Sequence, residues 1–102
     1  MNEIDVRTLQ RLLADGAAAT LIDVREPHEF AAGHVPGAVS TPMSTLPATV
    51  HDLDRSAEYL VICQSGNRSL TVSTWLAQQG FRVTNVRGGT FAWQLAGLPV
   101  SA

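Results

Sequence analysis

Tyr59-Leu60-Val61-Ile62-Cys63-Gln64-Ser65-Gly66-Asn67-Arg68-Ser69 is the stretch that decides how this chain folds. Four apolar residues with no polar interruption predict a strand buried on both faces. A short polar loop containing one glycine follows, and from Ser69 to Gln79 Val72, Trp75 and Leu76 share one helical face, with Gly80 as the stop. Strand, loop and helix in that order form the unit of a parallel α/β sheet. Cys63, the only cysteine, falls at the strand's carboxyl end, where backbone N–H groups of a helix N-terminus converge and stabilise a thiolate or a bound anion.

Working outward, the same alternation recurs. Asp5 stands as an N-cap before Val6, Leu9, Leu12 and Leu13, Ile4 and Leu9 occupy the staple positions, and Gly16 ends that helix. Thr20-Leu21-Ile22-Asp23-Val24 predicts a second buried strand. Glu26-Pro27 opens a helical turn through Ala32, stopped by Gly33. Val35-Pro36-Gly37-Ala38 marks a turn before a brief strand at Ala38–Ser40. Ser44 to Leu53 is weakly helical around Pro47, Phe81 to Val86 predicts another strand, and Gly88-Gly89 leads into a last helix carrying Phe91, Trp93 and Leu95. In sheets of this kind, sites form at the carboxyl ends of strands.

Composition narrows the function classes. At 102 residues the chain is expected to be one domain, burying roughly 60–70% of its unfolded surface. One cysteine forms no internal disulfide, which suits a reducing, cytoplasmic setting. Seven basic and nine acidic residues are spread along the chain for a net charge of −2, with no basic stripe for nucleic acid. Glu3, Asp5, Arg7, Arg11 and Asp15 argue against a signal peptide or membrane span in the first twenty residues, and no later apolar run reaches membrane length.

A lone cysteine is more often inert packing than a nucleophile. Here the following loop offers no apolar lining, Gly66 permits a tight left-handed backbone, and Arg68 returns a fixed positive charge five positions on. A thiol with a pKa near 8.5 is only about 3% thiolate at pH 7. Lowering that value by about two units, worth about 2.7 kcal/mol, makes roughly three quarters of it thiolate. A helix N-terminus and a neighbouring arginine supply such a shift without a general base, in keeping with a loop that has no histidine.

The run Cys63-Gln64-Ser65-Gly66-Asn67-Arg68 resembles the active-site loop of the rhodanese family of sulfurtransferases. Leu21-Ile22-Asp23-Val24-Arg25-Glu26 through Glu29-Phe30 and Gly33-His34-Val35-Pro36-Gly37-Ala38 is similar to the family's first signature, and Val86-Arg87-Gly88-Gly89 with Trp93 to its second. The resemblance implies a single rhodanese-like domain over residues 1–102, an α/β fold with a five-stranded, mainly parallel sheet and helices on both faces. It implies that Cys63 takes a sulfane sulfur from a small anionic donor such as thiosulfate, becomes a persulfide, and passes the sulfur to cyanide, a thiol or a partner protein by double displacement. Gln64, Ser65, Gly66, Asn67, Arg68 and Ser69 would hold the donor or the persulfide, with Arg68 on the donor's oxygens. No cofactor, metal, nucleic acid or membrane partner is implied.

Two alternatives share the loop. Related phosphatases place one residue more between cysteine and arginine and typically carry histidine before the cysteine. Here four residues intervene and Ile62 takes that place, which suits a single sulfur better than a phosphate. A sulfur carrier serving a partner protein is the other alternative. Outside the loop, Asp23 ends a strand near the expected site rim, and Arg25 and Glu29 are spaced for an ion pair. His34 is expected to satisfy backbone groups, Trp75 and Trp93 to pack in the core, and Arg87 to add positive potential or face solvent. His28 and His51 have no partners at metal-ligand spacing.

Overall fold

The computed structural model describes residues 1–102. Five strands, β1 (Asn2–Ile4), β2 (Thr20–Asp23), β3 (Val39–Ser40), β4 (Glu58–Ile62) and β5 (Arg82–Val86), form one sheet in the order β1-β5-β4-β2-β3. Every neighbouring pair is parallel, so the sheet is wholly rather than mainly parallel. Helices α1 (Val6–Ala14), α2 (Pro27–Ala31), α3 (Leu46–Thr49), α4 (Asn67–Gln78) and α5 (Gly89–Leu95) make the crossovers, with a 3₁₀ turn at Val50–Asp52.

The strand pattern sends successive side chains to opposite faces. On β4, Tyr59 and Val61, followed by Cys63, join an apolar cluster with Leu46 of α3 and Val72 and Leu76 of α4. Leu60 and Ile62 point the other way, to Val6 and Leu9 of α1 and Trp93 of α5. A residue such as Leu76 or Leu9, with no exposed surface, contributes about 1.5–3 kcal/mol through burial. The central strand is therefore held from both sides, and the loop after it inherits a fixed origin.

Local signals place most element ends. The Asp5 carboxylate accepts the Thr8 N–H at 2.8 Å and starts α1. Pro47 falls in the first turn of α3, so it starts that helix instead of breaking it. Two expectations are adjusted. Residues 2–4 form an edge strand that the sequence pattern does not reveal, held by pairing with β5 in the register Glu3↔Asn85. Helix α4 begins at Asn67, two residues before Ser69, because Gly66 with φ 101° takes the N-cap place.

From β2 the chain moves outward to β3 and then crosses back to β4 on the other side. The order reverses between β2 and β4, whose last residues Asp23 and Ile62 lie level in the register. A crevice beyond the carboxyl ends of strands at such a reversal is the general binding position of open α/β sheets. Cys63, Asp23 and the loop into α4 all meet there.

Candidate active site

Cys63 follows β4 directly and is 1% exposed. Its Sγ accepts the Gly66 N–H at 3.1 Å and lies 3.3 Å from Ser69 Oγ, which is itself 3.2 Å from the Gly66 carbonyl oxygen. This arrangement serves both protonation states. In the thiol, S–H donates to Ser69 and the Ser69 hydroxyl donates to Gly66. In the thiolate, the hydroxyl turns and donates to sulfur. Burial pushes the thiol pKa up, but the Ser69 hydroxyl and the N–H groups of Ser69, Gly66 and Ser65 outweigh it, leaving Cys63 below the ordinary thiol value. The left-handed Gly66 is what turns its N–H inward.

Arg68 lies in the first turn of α4, and its guanidinium reaches outward to α2. Nη1 and Nη2 donate to the two oxygens of Glu29 at 2.7 and 2.8 Å. Glu29 also accepts the Glu26 N–H at 3.1 Å, closing a capping box on α2. The Arg68 bond pulls the Glu29 carboxyl down to about 2, and Glu29 in turn raises Arg68. The expected Arg25–Glu29 pair is therefore corrected. Arg25 precedes the helix and turns inward, while the carboxylate of Glu29 is taken by a partner 39 residues away.

Arg25 is 3% exposed and forks onto the fully buried Asp23, with Nε at 3.0 Å from Oδ1 and Nη2 at 2.8 Å from Oδ2. Nη2 also donates to the Gly33 carbonyl at 2.8 Å, and Nη1 to Gln64 Oε1 at 3.2 Å. Asp23 thus reaches the site through Arg25, beneath the loop and away from the rim. The side chains of Ser65 and Asn67 are exposed. His34 donates its Nδ1–H to the Phe30 carbonyl at 2.9 Å and stacks on the Phe30 ring, as a backbone-satisfying residue should. Trp93 is buried as expected, whereas Trp75 is only half-buried.

The back of the loop is held by α5. Thr90 donates its N–H at 2.8 Å and its hydroxyl at 3.1 Å to the Cys63 carbonyl, and the Phe91 N–H reaches the Gln64 carbonyl at 2.9 Å. Thr90 escapes sequence reasoning, since its only signal is its place after Gly88-Gly89. Gly89 has φ +63°, and a Cβ there would lie 2.5 Å from the Cys63 carbonyl oxygen and 2.6 Å from that of Gln64. Gly89→Ala is expected to cost roughly 2–4 kcal/mol, from backbone strain plus overpacking, and to displace the loop. Gly16→Ala, with φ +71° but open space around it, isolates the strain contribution. Urea unfolding of the two variants should separate them clearly, and equal midpoints would refute the packing role.

A polar hollow of about 330 Å³, lined by Arg25, His28, Glu29, Gln64 and Gln94 among others, opens beside the loop. A larger cleft of about 690 Å³ lies at the other end of the sheet, among Asn2, Ala18, Glu58 and Arg82, without a thiol or imidazole. Neither is lined by Cys63 itself; the smaller one adjoins it through Gln64, the next residue.

Residues 5–96 match the model of the rhodanese-like domain, and the chain belongs to that family. A sulfurtransferase of Allochromatium vinosum is 40% identical over 103 residues, covering 100% of this chain and 96% of its own. Among solved structures, a rhodanese-related protein from Thermoplasma volcanium superposes with a TM-score of 0.90 at 34% identity, over 99% of this chain and 98% of that one. A thiosulfate sulfurtransferase from Pseudomonas aeruginosa matches 99% of this chain with 20% of its own length, at a TM-score of 0.82 and 30% identity. Sulfur transfer is the general activity this membership supports. No helix is long and apolar enough to cross a membrane.

Proposed function

We propose that the protein transfers sulfane sulfur through a persulfide on Cys63. The Cys63 thiolate attacks the outer sulfur of a donor such as thiosulfate, the S–S bond breaks, and sulfite leaves with the bonding pair. A thiophilic acceptor then takes the outer sulfur from the persulfide and regenerates the thiolate; with cyanide the product is thiocyanate. Neither half-reaction needs an outside oxidant or a resident cofactor.

The observation that carries the proposal is the seat of the sulfur. A thiolate-favouring Cys63 at a strand end receives the Gly66 N–H and neighbours the Ser69 hydroxyl, inside a loop of four residues that suits one added sulfur atom. The N–H groups of the first turn of α4 have no intrahelical partners and are available to the persulfide or the donor. A reducing, cytoplasmic compartment belongs to the same proposal, because this chemistry requires a free thiol. Delivery to a protein acceptor is a second reading, favoured by Leu70 and Phe91, which stand exposed on the two helices flanking the loop.

Intact-mass spectrometry after thiosulfate treatment tests the proposal. One added sulfur, localised to Cys63 and removed by cyanide, is expected. An unmodified chain after exposure to several sulfane-sulfur donors would overturn it.

A further inference from the structure

Positive charge near the loop is already spoken for by carboxylates. Both terminal nitrogens of Arg68 rest on Glu29. Arg25 is forked onto Asp23, and its remaining nitrogen goes to Gln64. The backbone of Arg87 passes close to Gly66, but its side chain runs back to Glu3 at 3.5 Å. Asp23, Arg25, Glu29 and Arg68 together sum to zero formal charge. The hollow beside the loop is therefore lined by one carboxylate and by an arginine already paired beneath it.

The geometry of the Arg68 pair matters as much as the sum. A guanidinium edge that holds a carboxylate bidentately is the same edge that would hold two oxygens of a sulfonate-like group. Glu29 is itself fixed by the Glu26 N–H, so it does not leave that edge as a freely swinging surface side chain would. With its carboxyl near 2, it stays ionised throughout the neutral range.

We infer that Glu29 is a specificity-determining residue: by occupying the Arg68 edge it biases the site toward sulfane-sulfur donors bearing one negative charge and against dianions such as thiosulfate. This rests on the persulfide chemistry proposed above. A dianion has either to displace Glu29 from Arg68 or to bind on the loop N–H groups with that carboxylate close by. A singly charged donor meets about half the repulsion.

Thiosulfate and methanethiosulfonate make the test. Both present the same kind of terminal sulfur to Cys63; the first releases sulfite and the second methanesulfinate, with a methyl group in place of one charged oxygen. With cyanide as acceptor, Glu29→Gln is expected to raise the ratio of kcat/KM for thiosulfate to that for methanethiosulfonate about tenfold, as loss of one nearby charge would. The amide oxygen of glutamine retains an acceptor for the Glu26 N–H. In the unaltered protein the same ratio should rise with ionic strength as the repulsion is screened. A ratio that is unchanged or falls in Glu29→Gln, or that falls with salt in the unaltered protein, overturns the inference and leaves Glu29 a buttress for Arg68. Failure of the persulfide chemistry looks different: neither donor would add sulfur to Cys63.

Discussion

Cys63→Ser is expected to reduce sulfur transfer by roughly four to six orders of magnitude, the scale on which removing a covalent nucleophile acts. The fold gives the reason for so large a loss. No second thiol exists in the chain, and Ser69, the nearest hydroxyl, is placed to bond to the sulfur and to the Gly66 carbonyl. A serine at position 63 retains acceptors for the Gly66 N–H, but an alkoxide is far less accessible near neutral pH than this thiolate. Stability should change little, about 1 kcal/mol, because the substitution is close in volume and the hydroxyl finds the same partners. Cooperative thermal unfolding within about 8 °C of the unaltered protein, with turnover lost, is the expected pair of results. Turnover persisting in the purified variant would require another nucleophile.

The pH dependence of the same thiol follows from its surroundings. Its pKa lies below the ordinary thiol value, so alkylation by iodoacetamide should climb with pH and inflect at a lower pH than that of a free thiol measured alongside. Ser69→Ala removes the strongest of the groups that stabilise the thiolate and should move the inflection upward. An inflection that stays in place would mean the backbone N–H groups carry the effect alone.

Much of this site is local in sequence, which is why it can be read there. Strand β4, the cysteine at its end, Gly66 and Arg68 occupy one continuous run, and their roles follow from spacing and backbone conformation. The central strands are equally legible, because uninterrupted apolar runs have few alternatives. Long-range pairing is another matter. Strand β1 spans three residues with two exposed, and exists only because β5 offers it an edge. Arg25 and Glu29 are four apart, a spacing that invites pairing, yet Arg25 lies before the helix and each finds a different partner. No local rule states that Glu29 closes on Arg68 or that Thr90 donates to the Cys63 carbonyl. The nucleophile is visible in the sequence, whereas the groups that set its reach are brought together only by the fold.

Asp23→Ala is expected to cost about 3–5 kcal/mol, the range found when one member of a buried ion pair is removed. Arg25 would be left 3% exposed with a charge that no other carboxylate is hydrogen-bonded to, since Glu29 is held by Arg68 and Glu26 by Ser44. The desolvation cost of the guanidinium is then uncompensated, and the side chain has to break its bonds to Gly33 and Gln64 or draw water beneath the loop. Either outcome reaches the chemistry, because Gln64 is the residue after the nucleophile and its side chain is anchored by Arg25 alone. Asp23→Asn separates the two consequences. It keeps an oxygen for the Arg25 fork but removes the charge, so it should lose less stability while still loosening Gln64. Urea unfolding measures the first effect, and KM against kcat for a sulfane-sulfur donor the second. If the alanine variant unfolds within about 1 kcal/mol of the unaltered protein, the pair is not the anchor of this loop.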